Sequence, residues 1–543
     1  MIKKSVGVLV ALSFTIAAQA QFTQQDTLRG SITPERAWWD LNYYDLNVKV
    51  QPDKKFISGY NIIRYKVLEA HQVMQIDLQE PLKITGISQN DEQLDYSRIG
   101  SAYFINLRKK QVPGTYNELY VQYSGNPKEA VRAPWDGGFS WSKDDNNKHF
   151  VATSCQGLGA SVWWPNKDHM YDEVDSMRIA IDVPKDLVAV ANGRLREEYA
   201  YDNSDYKLYE WFVSNPINNY GVNVNIGDYV HFGEKYEGEK GSLDMDYWVL
   251  RDDLEKAKVQ FKQASKMMEA FEHWFGPYPF YEDSFKLVQV PYLGMEHQSS
   301  ITYGNQWKQG YLGRDLSNTG WGLKFDFIII HEAGHEWFAN NITYKDIADM
   351  WVHEGFTSYS ENLYLDYHFG KKAAEDYVIG LRANILNDKP IIGAYNVNQR
   401  GSNDMYYKGS NLLHTIRQLV NDDEKWRQVL RGLNTDFYHQ TVTSEQIEDY
   451  LSEKSGLDLS KTFDQYLRTA DIPVLEYKIE ADGKLSYRYT NVVDGFAMPL
   501  RIFVNEKAYD IHPSSVWKTE KLDGNLNTLK IDRNFYVKQK RAS

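Results

Sequence analysis

Phe325-Asp326-Phe327-Ile328-Ile329-Ile330-His331-Glu332-Ala333-Gly334-His335 sets two histidines four residues apart behind an apolar run. The run predicts a helix over 325–340. Residues four apart stack on one helical face, so both imidazoles can point at a single ion with Glu332 beside them. This is zinc-ligand spacing. A catalytic zinc takes three protein ligands and leaves its fourth position to water. The third ligand is Glu354, nineteen residues beyond His335, within Asp349-Met350-Trp351-Val352-His353-Glu354-Gly355-Phe356-Thr357. A polar loop after Asn340-Asn341 brings this second helix alongside the first. His353 is the rival ligand, but helix neighbours point about 100° apart. Only one of the pair faces the metal, and His353 reads as a solvated or core-edge residue.

Outward from this stretch the chain is an α+β multidomain protein of 543 residues, with 42% apolar and 25% charged residues. That composition excludes disordered, collagen-like and disulfide-stapled classes. Its single cysteine, Cys155, closes no intrachain disulfide and reads as a small buried apolar residue. The formal net charge of −13, with no long basic run, argues against nucleic acid as a partner.

Residues 1–20 carry Lys3-Lys4, an apolar stretch Val6–Ala18 and the small-x-small site Ala18-Gln19-Ala20, the pattern of a cleaved signal peptide. The expectation is an exported protein, periplasmic or secreted, without a membrane span in its mature chain. Residues 21–240 alternate with period two, as in Tyr44, Leu46, Val48 and Val50, and predict an antiparallel β domain. Residues 241–472 form the mainly helical domain. It opens with Leu254, Ala257, Phe261, Ala264, Met268, Phe271 and Phe275, stops at Gly276-Pro277, and includes a Thr443/Gln446 capping box. Residues 473–543 close the chain with a small β module, in which Leu475, Tyr477 and Ile479 pair with Leu485, Tyr487 and Tyr489 across Asp482-Gly483.

His331, Glu332, His335 and Glu354, with Glu-Gly-Phe at 354–356, resemble the gluzincin zinc aminopeptidases, the aminopeptidase N and leukotriene hydrolase family, in a bacterial secreted-type member. The resemblance extends to Thr153-Ser154-Cys155-Gln156, Gly294-Met295-Glu296-His297 and Tyr406-Tyr407-Lys408-Gly409. It implies a saddle-like β domain, a thermolysin-like catalytic domain, a β-sandwich-like C-terminal module and one zinc ion. It further implies hydrolysis of the N-terminal bond of peptides with a free amino end, with Glu332 as general base and Tyr406 as oxyanion stabiliser. Tyr407 is the alternative one residue along.

Glu296, with Gly294 and Met295, matches the substrate-binding segment, and Gln156 matches a position near the substrate amine. Two residues depart from the family pattern: Leu293 stands where a glycine is usual, and His297 replaces an asparagine. Both bear on how the substrate backbone is held. Glu361, two helical turns beyond Glu354, is placed to orient a ligand. Alternatives on the same residues are a zinc endopeptidase and an inactive peptide-binding relative.

Overall fold

The computed structural model describes residues 22–542, so the export signal expected at 1–20 lies outside them. Tyr44, Leu46, Val48 and Val50 form the buried face of the strand Trp39–Gln51. One turn of 3-10 helix, Pro52–Lys54, reverses the chain into Phe56–Val67, with Val50 opposite Ile57. These two strands sit in the middle of an eight-stranded sheet. Its neighbour on the other side, Ser176–Pro184, runs parallel rather than antiparallel, with Leu46 opposite Ile179. The alternation records which face is buried, a property that both strand directions share.

The change of domain expected at 240 falls inside a hairpin. Tyr229–Gly238 pairs along its length with Gly241–Leu250. That second strand continues into a five-stranded sheet with Phe285–Gln289, Ile301–Tyr303 and Gly294–Met295. The period-two alternation continues beyond 240, through Leu243, Met245, Tyr247 and Val249 on the buried face of the second strand.

The helical part begins as two segments, Leu254–Gln260 and Lys262–Phe275, the second ending at Gly276 in a positive-φ conformation. The motif helix runs from Phe327 to Gly334, shorter than its sequence suggests. Asp326 starts it, accepting from the backbone amides of Ile328 (3.0 Å) and Ile329 (3.4 Å). The same buried carboxylate accepts from Gln260 Nε2 (2.6 Å), Tyr303 Oη (2.8 Å) and Asn305 Nδ2 (2.7 Å). The helix is therefore tied to the five-stranded sheet and to the preceding helical segment. It stops because Phe338 (φ −128°, ψ 75°) and Ala339 (φ 161°, ψ −44°) leave helical geometry. That break frees the Phe338 carbonyl to accept from His335 Nδ1 at 3.0 Å.

The chain returns as a long helix, Trp351–Phe369, which lies against the motif helix. A third helix, Tyr407–Val420, crosses it where Gly355 meets Gly409: a Cβ on Gly409 would approach Gly355 Cα to 3.0 Å. The Thr443 capping box forms, with Thr443 N donating to Gln446 Oε1 (2.9 Å) and Gln446 N donating to Thr443 Oγ1 (3.3 Å). The C-terminal hairpin has the expected register, Leu475 opposite Tyr489 and Ile479 opposite Leu485, within a module of one four-stranded and one three-stranded sheet.

Replacing Asp326 by alanine removes a helix cap and strands several buried donors, a loss of about 2–4 kcal/mol of stability. Urea unfolding should show a lowered midpoint; an unchanged midpoint would mean that the motif helix is started by other contacts.

Candidate functional site

His331 and His335 project from the last turn of the motif helix, and Glu354 from the first turn of the long helix that follows. All three are buried. Glu354 Oε2 lies 3.3 Å from His335 Nε2 and 3.7 Å from His331 Nε2. The far side of each imidazole is held. His331 Nδ1 hydrogen-bonds Glu361 Oε1 at 2.7 Å, and Tyr377 Oη donates to the other Glu361 oxygen at 2.5 Å. His335 Nδ1 is held by Phe338 O, with Thr357 Oγ1 also 3.0 Å away. Fixing Nδ1 in each ring directs both Nε2 atoms at one point.

The electrostatics follow from burying so much charge. Burial would depress His331, but Glu354 and Glu361 hold it well above its ordinary value. Burial pushes the Glu354 carboxyl up, yet His335 and His331 hold it well below the usual carboxylate range. Glu354 Oε2 is buried without a hydrogen-bond donor. An acceptor oxygen without a donor, facing two imidazole nitrogens, suits a divalent cation, and two nitrogens with one carboxylate oxygen is a zinc donor set. His331, His335 and Glu354 fit the metal.

His353 does not join them. Its Nε2 accepts from Tyr344 N at 2.9 Å and its ring stacks on Tyr344, turned away from the metal position. Cys155 is buried and donates to Tyr220 O, and burial raises its thiol far above the ordinary range.

The triad opens into a cleft of about 720 Å³ that is also lined by Gln156, Gly294, Met295, Glu296, Glu332 and Tyr406. Every residue expected at the site from the sequence therefore reaches one cavity. Glu332 is pushed up to about 7, mainly by burial, with Glu296 and Glu354 adding to it and the two histidines opposing. Gln156 Nε2 donates to Glu296 Oε1 (2.5 Å) and to Glu354 Oε1 (3.0 Å), bridging the two carboxylates. Gly294 lies so close to the motif helix that a Cβ would meet Ile328 Cγ2 at 2.6 Å and Thr302 O at 2.9 Å. Leu293 lines the cleft, while His297 is fully buried beside it, with Nδ1 3.3 Å from Thr302 Oγ1.

Tyr406 and Tyr407 both line the cleft but face different carboxylates. Burial raises both hydroxyls; Glu354 adds most to Tyr406, and Glu361 adds most to Tyr407. Tyr406 is thus the tyrosine beside the metal triad. Sequence reading missed Tyr377, which orients Glu361, and Tyr220, which lies against Glu296. Neither sits in a recognisable spacing from the motif.

Residues 259–466 match the peptidase family M1 domain, and residues 41–220 match the peptidase M1 N-terminal domain. The chain belongs to peptidase family M1. Among relatives of this M1 chain, aminopeptidase 2 of Candida albicans is 22% identical over 82% of the chain and 48% of its own length. Aminopeptidase N of Lactobacillus helveticus is 23% identical over 82% and 52%, and leukotriene A-4 hydrolase of Xenopus laevis 24% over 55% and 50%. The chain spans about half the length of these relatives. An M1 zinc metallopeptidase from Deinococcus radiodurans, solved with Tyr-Ser-Ala, has a similar fold: TM-score 0.69 and 18% identity over 81% of this chain and 96% of that one.

Glu361→Gln keeps the size of the group that orients His331 and removes its charge. Zinc affinity, measured by competition with a chromogenic chelator, should fall about 10- to 100-fold. Unchanged affinity would show that the imidazole needs no such support.

Proposed function

We propose that this chain is a zinc aminopeptidase that releases the first residue of peptides with a free amino end. One observation carries the reading: two acceptor groups, the buried Glu296 and the half-buried Gln156, line the cleft beside the metal triad. Gln156 turns its amide nitrogen to both carboxylates, so its carbonyl oxygen is the end left for a cation. A substrate ammonium placed between that oxygen and Glu296 sets the first peptide carbonyl at the triad.

His331, His335 and Glu354 would hold the zinc, which when bound would supply a Lewis acid for the carbonyl and a lowered pKa for the attacking water. Glu332 accepts the proton of that water and delivers it to the leaving amine. The Tyr406 hydroxyl donates a hydrogen bond to the oxyanion as the carbonyl becomes tetrahedral, an interaction strongest in the transition state. His331 is kept in one tautomer by Glu361 while this happens.

We also propose that the chain is exported through residues 1–20, on the strength of Lys3-Lys4, Val6–Ala18 and Ala18-Gln19-Ala20. Among the described residues no helix is long and apolar enough to cross a membrane. N-terminal sequencing of the protein recovered from the periplasm or medium should begin at Gln21; an intact Met1 would overturn export by this route.

Purified protein should cleave aminoacyl amides, lose that activity to a chelator, regain it with zinc, and leave N-acetylated peptides intact. Glu332→Gln should retain zinc while kcat falls by several orders of magnitude, and Tyr406→Phe should lower kcat far more than it raises KM. Cleavage of the blocked peptides would replace this reading with an endopeptidase. A larger kcat loss in Tyr407→Phe than in Tyr406→Phe would move the oxyanion role by one residue.

A further inference from the structure

A segment ahead of both family-matched regions contributes to the cleft wall. Residues 22–38 precede the strand that opens the β domain, and within them the short helix Gln24–Gly30 lies against the catalytic part. Its placement is firmly held. Thr23 and Asp26 form a capping box, and the Asp26 carbonyl accepts from Asn398 N at 3.0 Å. The end of the helix is pinned by the fully buried Arg36, whose Nη1 donates to Leu28 O (2.7 Å) and Ser31 O (2.9 Å) while Nη2 pairs with Asp77 at 2.6 Å. The consequence is that Arg29 lines the catalytic cleft.

Arg29 Nη2 donates to Leu158 O, two residues from Gln156, and its Nε is buried without a partner. Asn398, on the loop bonded to the Gln24–Gly30 helix, donates from Nδ2 to Gly157 O at 3.2 Å. Two residues further along that loop, Arg400 is exposed, lines the same cleft, and is close enough for its charge to act on Tyr406 and Tyr344. Among the described residues neither guanidinium is ion-paired with a carboxylate. The cleft's outer carboxylates are already engaged: Asp136 accepts from Val131 N (2.8 Å) and Arg132 N (2.9 Å), and Asp404 from Leu386 N (2.8 Å) and Asn387 N (2.5 Å).

The cleft is therefore polarised, with carboxylates at the metal end and, beyond the Gln156 corner, two guanidiniums outside ion-pair distance of any carboxylate, Asp26 and Asp168 being the acids nearest Arg29. We propose that Arg29 and Arg400 recognise a carboxylate of the substrate. This inference rests on the aminopeptidase reading and names the substrate class for that site. Two carboxylates are available to a peptide: the side chain of an N-terminal Asp or Glu, and the free chain end of a very short peptide. The attachment of Arg29 to the Gln156-Gly157-Leu158 corner puts it on the amine side of the triad. With the substrate ammonium held by Gln156 and Glu296 as proposed above, the side chain of the first residue would be nearer to Arg29 than the far end of the peptide.

The test compares wild type, Arg29→Gln, Arg400→Gln and Arg400→Glu on glutamyl, alanyl and lysyl p-nitroanilides, and on Ala-Ala-Ala with its C-terminal amide. The glutamyl-to-alanyl ratio of kcat/KM should fall roughly 10- to 100-fold in each glutamine variant, mostly through KM. Arg400→Glu should reverse the order of the glutamyl and lysyl substrates, which a merely structural role would not do. A fall confined to the acid-to-amide ratio of the tripeptides would support carboxylate recognition and assign it to the chain end. If neither ratio moves in any variant, the proposal is overturned.

Calorimetric binding of Glu-Ala-Ala and Ala-Ala-Ala amides to zinc-loaded Glu332→Gln protein, with and without the arginine changes, separates this failure from that of the catalytic reading. Silence on every substrate together with arginine-dependent preference for Glu-Ala-Ala would sink the peptidase reading and keep the carboxylate site. Equal binding of both peptides in all variants would sink the carboxylate site.

Discussion

The Glu354 carboxylate, enclosed with two imidazoles in the protein interior, is the interaction on which the site depends. A buried anion is costly unless its charge is answered by cations and hydrogen bonds, and a buried histidine is costly unless both ring nitrogens are used. Much of the local architecture answers these requirements. Gln156 donates to one Glu354 oxygen, the two Nε2 atoms face the other, and Glu361, Thr357 and Phe338 O occupy the far sides of the rings. Glu361 in turn is held by Tyr377. Each group that touches the metal position is thereby oriented by a second that does not.

Satisfying these contacts requires elements from distant parts of the chain to approach closely. The β domain supplies Gln156, the edge of the five-stranded sheet supplies Glu296, and the helices supply the triad and Tyr406. The motif helix ends at Gly334, and the backbone that leaves helical geometry at Phe338 and Ala339 offers a carbonyl to His335 Nδ1. The Gly355–Gly409 crossing brings the start of the third helix, and with it Tyr406, to the mouth of the metal site. The β domain is thus part of the active cleft as well as a neighbour of it, and cleft polarity is set jointly by both.

Much of this was legible from short-range pattern. The four-residue spacing of His331 and His335, the capping box at Thr443, the Asp482-Gly483 hairpin and the buried alternation from Tyr44 to Val50 all reflect geometry that repeats within one element. Such geometry is local, so sequence carries it. Glu354 was named by the need for a third zinc ligand, whereas Glu296, Gln156 and Tyr406 are separated from the motif by long stretches of chain, and only the family resemblance named them in advance. The parallel neighbour of the first strand and the hairpin spanning 240 were not legible, because burial alternation is the same for either partner direction and does not say which strands pair. The end of the motif helix was misread for a related reason: Trp337, Phe338 and Ala339 read as a continuing apolar face, whereas the backbone leaves helical geometry at Phe338 and Ala339.

By itself, then, the sequence determined the chemistry available: two imidazoles at helical spacing, a glutamate beside them, and a chain built from a β region, a helical region and a second β module. Those features follow from residue type and from periods of two and of 3.6 residues. The tertiary structure decided which of two adjacent tyrosines faces the triad, that His353 turns to Tyr344 instead of the metal, and that an N-terminal segment lends Arg29 to the cleft. These outcomes depend on where separate elements meet and on how the cost of burying charge is met there, and neither quantity is written in the order of neighbouring residues.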